Sequence, residues 1–118
     1  MPYQAYLYIR SNGKSPVHEY IKSLNDPRAA AYIEAYINKL IAREGKLPFP
    51  HAKKVVGKIW ELRTKLGNRV FYFIHTGQSI ILLDGFTKKQ DKIPSHILAK
   101  VLTEYHDFLV HGLKQLYN

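Results

Sequence analysis

The sequence predicts an α+β fold: an antiparallel sheet with helices packed on one face, in the order β-α-α-β-β-β-α. Three observations carry this. Ile33, Tyr36, Ile37, Leu40 and Ile41 recur at helical spacing after one short strand. Three alternating apolar runs, near 58–64, 69–75 and 79–86, follow with only short turns between them, which marks an antiparallel meander. A second helical stripe then closes the chain.

Ala5 to Ile9 (AYLYI) alternates and is rich in aromatic and branched residues, so it reads as the first strand. SNGKSP breaks it with a turn. Ser15 before Pro16 gives an N-cap and a first helical position, opening a short helix to about Leu24. Asp26 before Pro27 repeats the device for a helix over about 27–44, with Gly45 as its stop. The segment 46–58 holds Pro48 and Pro50 with Lys46, Lys53, Lys54 and Lys58, and reads as a basic loop. TKLGN supplies Gly67 and Asn68, both tolerant of positive φ, so the first two meander strands form a hairpin. HTGQS makes the next turn. Pro94 opens the last helix with Ser95 in its first turn, and Ile97, Leu98, Val101, Leu102, Tyr105, Phe108 and Leu109 form its stripe. One sheet face is expected to stay partly open.

The 118 residues are expected to form one domain, 1–118, and a 46% hydrophobic share is enough to bury a core. The chain has no cysteine, so disulfide and thiolate chemistry are excluded, as fits a reducing cytoplasm. No leader pattern opens it and no apolar run is long enough to span a bilayer, so a soluble cytoplasmic protein is expected. Eighteen Lys and Arg against nine Asp and Glu give +9, which points to a polyanionic partner such as nucleic acid or an acidic protein.

Alternation assigns faces. Ile59, Glu61 and Arg63 share one side of their strand, and Trp60 and Leu62 the other. Arg69, Phe71, Phe73 and His75 share one side of the next strand, opposite Val70, Tyr72 and Ile74. The hairpin can bring Arg63 and Arg69 near the same end, with Lys88, Lys89 and Lys92 just past the third meander strand; which faces coincide depends on the register, which the five-residue connection does not fix. Such a cluster has a use: arginine forks phosphate oxygens and lysine adds a mobile charge. Arg63 paired with Glu61, above solvated lysines, is the plainer alternative. Metal and phosphate-loop chemistry find no pattern here. His106 and His111 are five apart, His51 and His96 have no acidic partner in sequence, and GKS (Gly13–Ser15) lacks the preceding glycine spacing. No cofactor is expected.

WELR (Trp60–Arg63), NRVFYF (Asn68–Phe73) and LLDGFTKKQDKIP (Leu82–Pro94) resemble the RelE/ParE superfamily of toxins from bacterial type II toxin–antitoxin pairs, most closely its phage-associated HigB-type branch. The resemblance implies a two-layer RelE-like fold and a metal-independent, ribosome-dependent mRNA endonuclease. In such members the RNA 2′-hydroxyl attacks the adjacent phosphate while basic residues orient the RNA and stabilise developing charge. Carried over, Arg69 matches the strand arginine on the scissile phosphate, Arg63 the arginine ending "LR", and Lys88 and Lys89 the basic pair after the last strand. The catalytic candidates are Arg69, Arg63, Lys89 and Tyr72. The RNA-binding candidates are Lys88, Lys92, Lys53, Lys54 and Lys58. His75, His96 and Ser95 are further acid–base candidates. The sequence departs from the RelE pattern at Ile59 and Glu61, where that pattern carries lysines. The implied partners are a cognate antitoxin, a helix-turn-helix protein, and mRNA on the 70S ribosome. The rival readings are a ParE-like gyrase-inhibiting binding module and a degenerate member that only binds its antitoxin.

Overall fold

The computed structural model describes residues 2–89 and 92–117. Its elements are β1 (Gln4–Tyr8), α1 (Pro16–Ser23), α2 (Pro27–Ala42), β2 (Ala52–Val56), β3 (Ile59–Arg63), β4 (Asn68–His75), β5 (Ser79–Thr87), α3 (Ser95–His111) and β6 (Lys114–Leu116). The first two helices start where their caps dictate. Ser15 Oγ accepts from the His18 N–H at 3.1 Å, and Asp26 Oδ1 accepts from the Arg28 N–H at 2.9 Å, each followed by a proline in the first turn. α2 ends before Glu44 and Gly45, both at positive φ, and the Gly45 N–H reaches back to the Leu40 carbonyl at 2.8 Å.

Among the described residues six strands make one sheet, in the order β2-β3-β4-β5-β1-β6. β1 lies parallel to β5 and every other pairing is antiparallel. The α+β class and the predicted order of elements hold, with two edge strands added. β2 occupies the segment expected to be a basic loop: Pro48 and Pro50 stay in the turn before it, and its lysines stand on an open edge, where charge is tolerated. β6 is three residues long and exposed, too short to leave a pattern in the sequence.

Each sheet face carries its own core. Val17 of α1 and Ile33, Ile37 and Leu40 of α2 pack with Leu62, Val70, Tyr72, Ile80 and Leu82. Val101 and Phe108 of α3 pack with Ile59, Phe71, Phe73, Ile81 and Leu83. The helices therefore do not all share one face, as the sequence suggested. α3 covers much of the side expected to be open, because β4 and β5 are apolar on both sides and each side must be buried.

Candidate nucleic-acid interface

The hairpin register decides where the arginines meet. Arg63 of β3 lies directly opposite Arg69 of β4, and Glu61 directly opposite Phe71. Directly opposed residues project to the same side, so Glu61, Arg63 and Arg69 share the α3 face, at the end of the sheet away from the β4–β5 turn. Glu61 is 2% exposed and Arg69 8%. The Glu61 Oε1 lies 3.3 Å from Arg63 Nε and 3.4 Å from Arg69 Nε. One carboxylate thus faces two guanidiniums, and a net positive charge is left.

These are close ionic contacts without hydrogen-bond alignment. Arg63 Nε and Nη1 and Arg69 Nε are buried with no hydrogen-bond partner among the described residues. Buried donors left unpaired are rare, and each is costly. Arg69 Nη1 does donate, to the Asn68 carbonyl at 3.1 Å. Burial holds the Arg69 pKa below the usual arginine range, and repulsion from Arg63 adds to that, while Glu61 opposes it. A cavity of about 180 Å³ opens here, lined by Tyr36, Pro50, His51, Arg63, Thr64, Lys65 and Arg69.

A hydrogen-bond chain sets the Asn68–Arg69 backbone. Thr64 Oγ1 donates to Asn68 Oδ1 at 3.2 Å, and Asn68 Nδ2 donates to the Tyr20 hydroxyl at 2.8 Å. The Tyr20 hydroxyl also lies 2.9 Å from Thr87 Oγ1. Tyr20 reaches this position because residue 85 is glycine: a Cβ there would collide with its ring. α1 therefore helps to position Arg69 through the far side of the sheet.

The structure sorts the remaining candidates. The Lys88 N–H donates to the Gly67 carbonyl at 2.8 Å, which brings Lys88 and the exposed Lys89 beside the hairpin turn next to the arginines. Lys53 lies opposite Glu61 and so shares the arginine face. Lys54 lies opposite Trp60, on the other face. Lys58 is exposed at the opposite end of β3 from Arg63, and Lys92 is exposed in the segment before α3.

Tyr72 is a correction. It is 1% exposed within the α1–α2 core, on the far side of the sheet from Arg69. Its hydroxyl is pushed up to about 12 by burial. His75 is six residues along β4 from Arg69, roughly 20 Å at strand rise. Its ring meets Phe108 edge-on at 5.1 Å, which is a packing role. Ser95 and His96 are exposed in the first turn of α3.

Two features escaped the sequence reading. In the sequence alone His51 offers itself only as a metal ligand without an acidic partner. It lines the arginine cavity, its carbonyl accepts from the Arg63 N–H at 2.8 Å, and its ring meets Tyr36 edge-on at 5.4 Å. Reading 52–56 as a strand paired with β3 would have placed it beside Arg63. The second feature is a charged cluster under α3. Arg10 Nη2 donates to Glu104 Oε2 at 2.9 Å, and Lys100 Nζ lies 3.0 Å from Asp84 Oδ2. Glu104 is pushed up to about 8 by burial and by its hydrogen bond and repulsion with Asp84, against the pull of Arg10. Among the described residues no group of three or more His, Asp or Glu is placed to hold a metal ion.

The family described as "Phage derived protein Gp49-like (DUF891)" matches residues 19–106, which run from α1 through most of α3 and include His51, Glu61, Arg63, Arg69, Lys88 and Lys89. The chain belongs to the Gp49-like family. None of the curated proteins compared with it matches. The Gp49-like family is toxin-like, of the RelE/HigB type, and membership suggests a toxin with an antitoxin as its partner. No helix among the described residues is long and apolar enough to cross a membrane.

Proposed function

We propose that this Gp49-like protein is the toxin of a type II toxin–antitoxin pair, and that it cuts mRNA on the ribosome by metal-independent phosphodiester transfer. The observation that carries this reading is the Arg63–Arg69 pair: two guanidiniums on one carboxylate, with buried N–H groups that have no acceptor among the described residues, on residues lining one cavity. A phosphate supplies the acceptors those groups lack, and the surplus positive charge suits a phosphorane-like transition state.

In this reading the RNA 2′-oxygen attacks the adjacent phosphorus. The new P–O2′ bond forms as the P–O5′ bond breaks, giving a 2′,3′-cyclic phosphate and a 5′-hydroxyl. Arg63 and Arg69 hold the non-bridging oxygens. Lys88 and Lys89, beside the hairpin turn, hold the strand. His51 takes the 2′-hydroxyl proton or delivers one to the leaving O5′, since it is the imidazole lining the arginine cavity. Tyr72 has no part, being on the other face.

The test is primer extension on a reporter mRNA in a cell-free translation reaction, with and without ribosomes. Wild type is expected to give ribosome-dependent cuts within the reading frame. Arg69→Ala is expected to lose them by about a hundredfold or more, as for loss of a donor to developing charge. Intact mRNA with wild type would turn the assignment to the rival: a binding module that inhibits gyrase, or that only engages its antitoxin. Glu61 favours that rival, since it already neutralises part of the arginine pair.

A further inference from the structure

Phe49 stands at the rim of the arginine cavity, next to Pro50 and His51, which line it. It is 70% exposed, and the Arg63 guanidinium carbon lies 5.5 Å from its ring centroid. Prolines on both sides, Pro48 and Pro50, narrow the backbone choices at this point, so the ring is presented on a stiff segment. Other large apolar side chains are exposed too, and singly that is ordinary. Phe49 differs in having a cation against its ring and an anion-suited cavity at its foot. Val110 and Leu109 are exposed on α3, and Trp60 projects from the opposite sheet face. Tyr36, which lines the cavity, is already engaged: His51 meets its edge, and Lys39 Nζ lies 5.4 Å from its centroid.

Single-stranded nucleic acid is held by two elements together, a cationic track for phosphates and aromatic faces for unstacked bases. The cavity supplies the first. We propose that the exposed ring of Phe49 is a stacking surface for one unpaired nucleobase, next to the phosphate held by Arg63 and Arg69. This rests on the phosphate reading of the cavity given above. Stacking accepts any base, so Phe49 fixes where the strand lies rather than which sequence is taken. Larger purine faces gain most. The guanidinium under the ring holds it in place and leaves its outer side for the base.

The test uses the full chain and a short, fluorescently labelled 2′-O-methyl RNA, which lacks the attacking hydroxyl and stays intact. Its affinity is read by anisotropy, alongside copies carrying one abasic position at a time. Phe49→Leu keeps an apolar side chain at an exposed site but removes the ring, and is expected to weaken binding about tenfold. Phe49→Trp is expected to bind close to wild type. For one abasic position, wild type is expected to lose a similar factor, and Phe49→Leu to add nothing further. Near-wild-type binding by Phe49→Leu would overturn the proposal. So would losses that multiply at every abasic position. Arg69→Ala separates the two readings, because it should weaken intact and abasic strands alike. If Arg69→Ala binds as wild type does, the phosphate reading fails whatever Phe49 does. If wild type binds no single strand, the stacking proposal falls, while the phosphate reading is decided by the ribosome-dependent cleavage assay.

Discussion

The Glu61 carboxylate lies within 3.3 and 3.4 Å of two guanidinium nitrogens and is itself 2% exposed. A buried charge pair adds little net stability over an apolar substitute, but removing one partner strands the other. Here removal strands two like charges. Glu61→Gln keeps the shape and removes the charge. It is expected to destabilise the protein by about 2 kcal/mol or more, read as a lower urea midpoint at unchanged slope. The same change leaves the pair with its full charge and unpaired donors. Added inorganic phosphate, at matched ionic strength, is therefore expected to restore more stability to Glu61→Gln than to wild type, since a ligand of the folded state stabilises in proportion to its binding. Equal restoration in the two proteins would mean that the arginine pair does not take an anion.

At the scale of elements, α3 is held to the sheet by an apolar stripe and by the buried carboxylates of Glu104 and Asp84, each met by a more exposed cation, Arg10 and Lys100. Glu104 is raised from an ordinary 4.5 to about 8 in the folded protein. The folded state then binds the proton more tightly than the unfolded chain between these values. The contribution of Glu104 to stability is full below about 4.5 and is lost as pH rises through about 8. Glu104→Gln keeps a neutral, hydrogen-bonding side chain at every pH. The variant is expected to match wild type near the acid end of that window and to exceed it above the upper end, in urea unfolding across the range. A constant difference between the two proteins would show that Glu104 is charged throughout.

The elements themselves were unevenly legible. Capping pairs, the α2 stripe and the β3–β4 turn act within a few residues of sequence, so the helices and the hairpin could be read. Alternation grouped Glu61 with Arg63 on one strand and Arg69 with Phe71 on the next, but that these groups share a face follows only from the β3–β4 register, which the turn sequence does not fix. Which face α3 covers depends on packing between segments far apart in the chain. β2 was hidden because Lys53 and Lys54 are poor strand residues, tolerated only on an open edge. His51 was invisible as a site residue, and Glu104 as a buried ionisable group, because their neighbours come from other elements.

At the scale of the molecule, a +9 chain attracts a polyanion from any side, so net charge says little about where RNA lies. The sheet offers a sharper test. Lys53 and Lys54 are adjacent in sequence, equal in charge and both exposed, yet their partners Glu61 and Trp60 put them on opposite faces. A cation that contacts a phosphate releases a counterion on binding, and each such contact in a single strand adds about 0.7 to the slope of log affinity against log salt. If the strand follows the arginine face, Lys53→Ala is expected to reduce that slope by about 0.7 and Lys54→Ala to leave it unchanged. The measurement is anisotropy with the non-cleavable RNA over a salt series, with wild type and both variants. Equal effects of the two substitutions would mean that the strand tracks the edge of β2 rather than one face. A loss confined to Lys54→Ala would move the interface to the Trp60 side and away from Arg63 and Arg69. Because the two lysines contribute identically to the long-range field, any difference between them isolates contact from attraction.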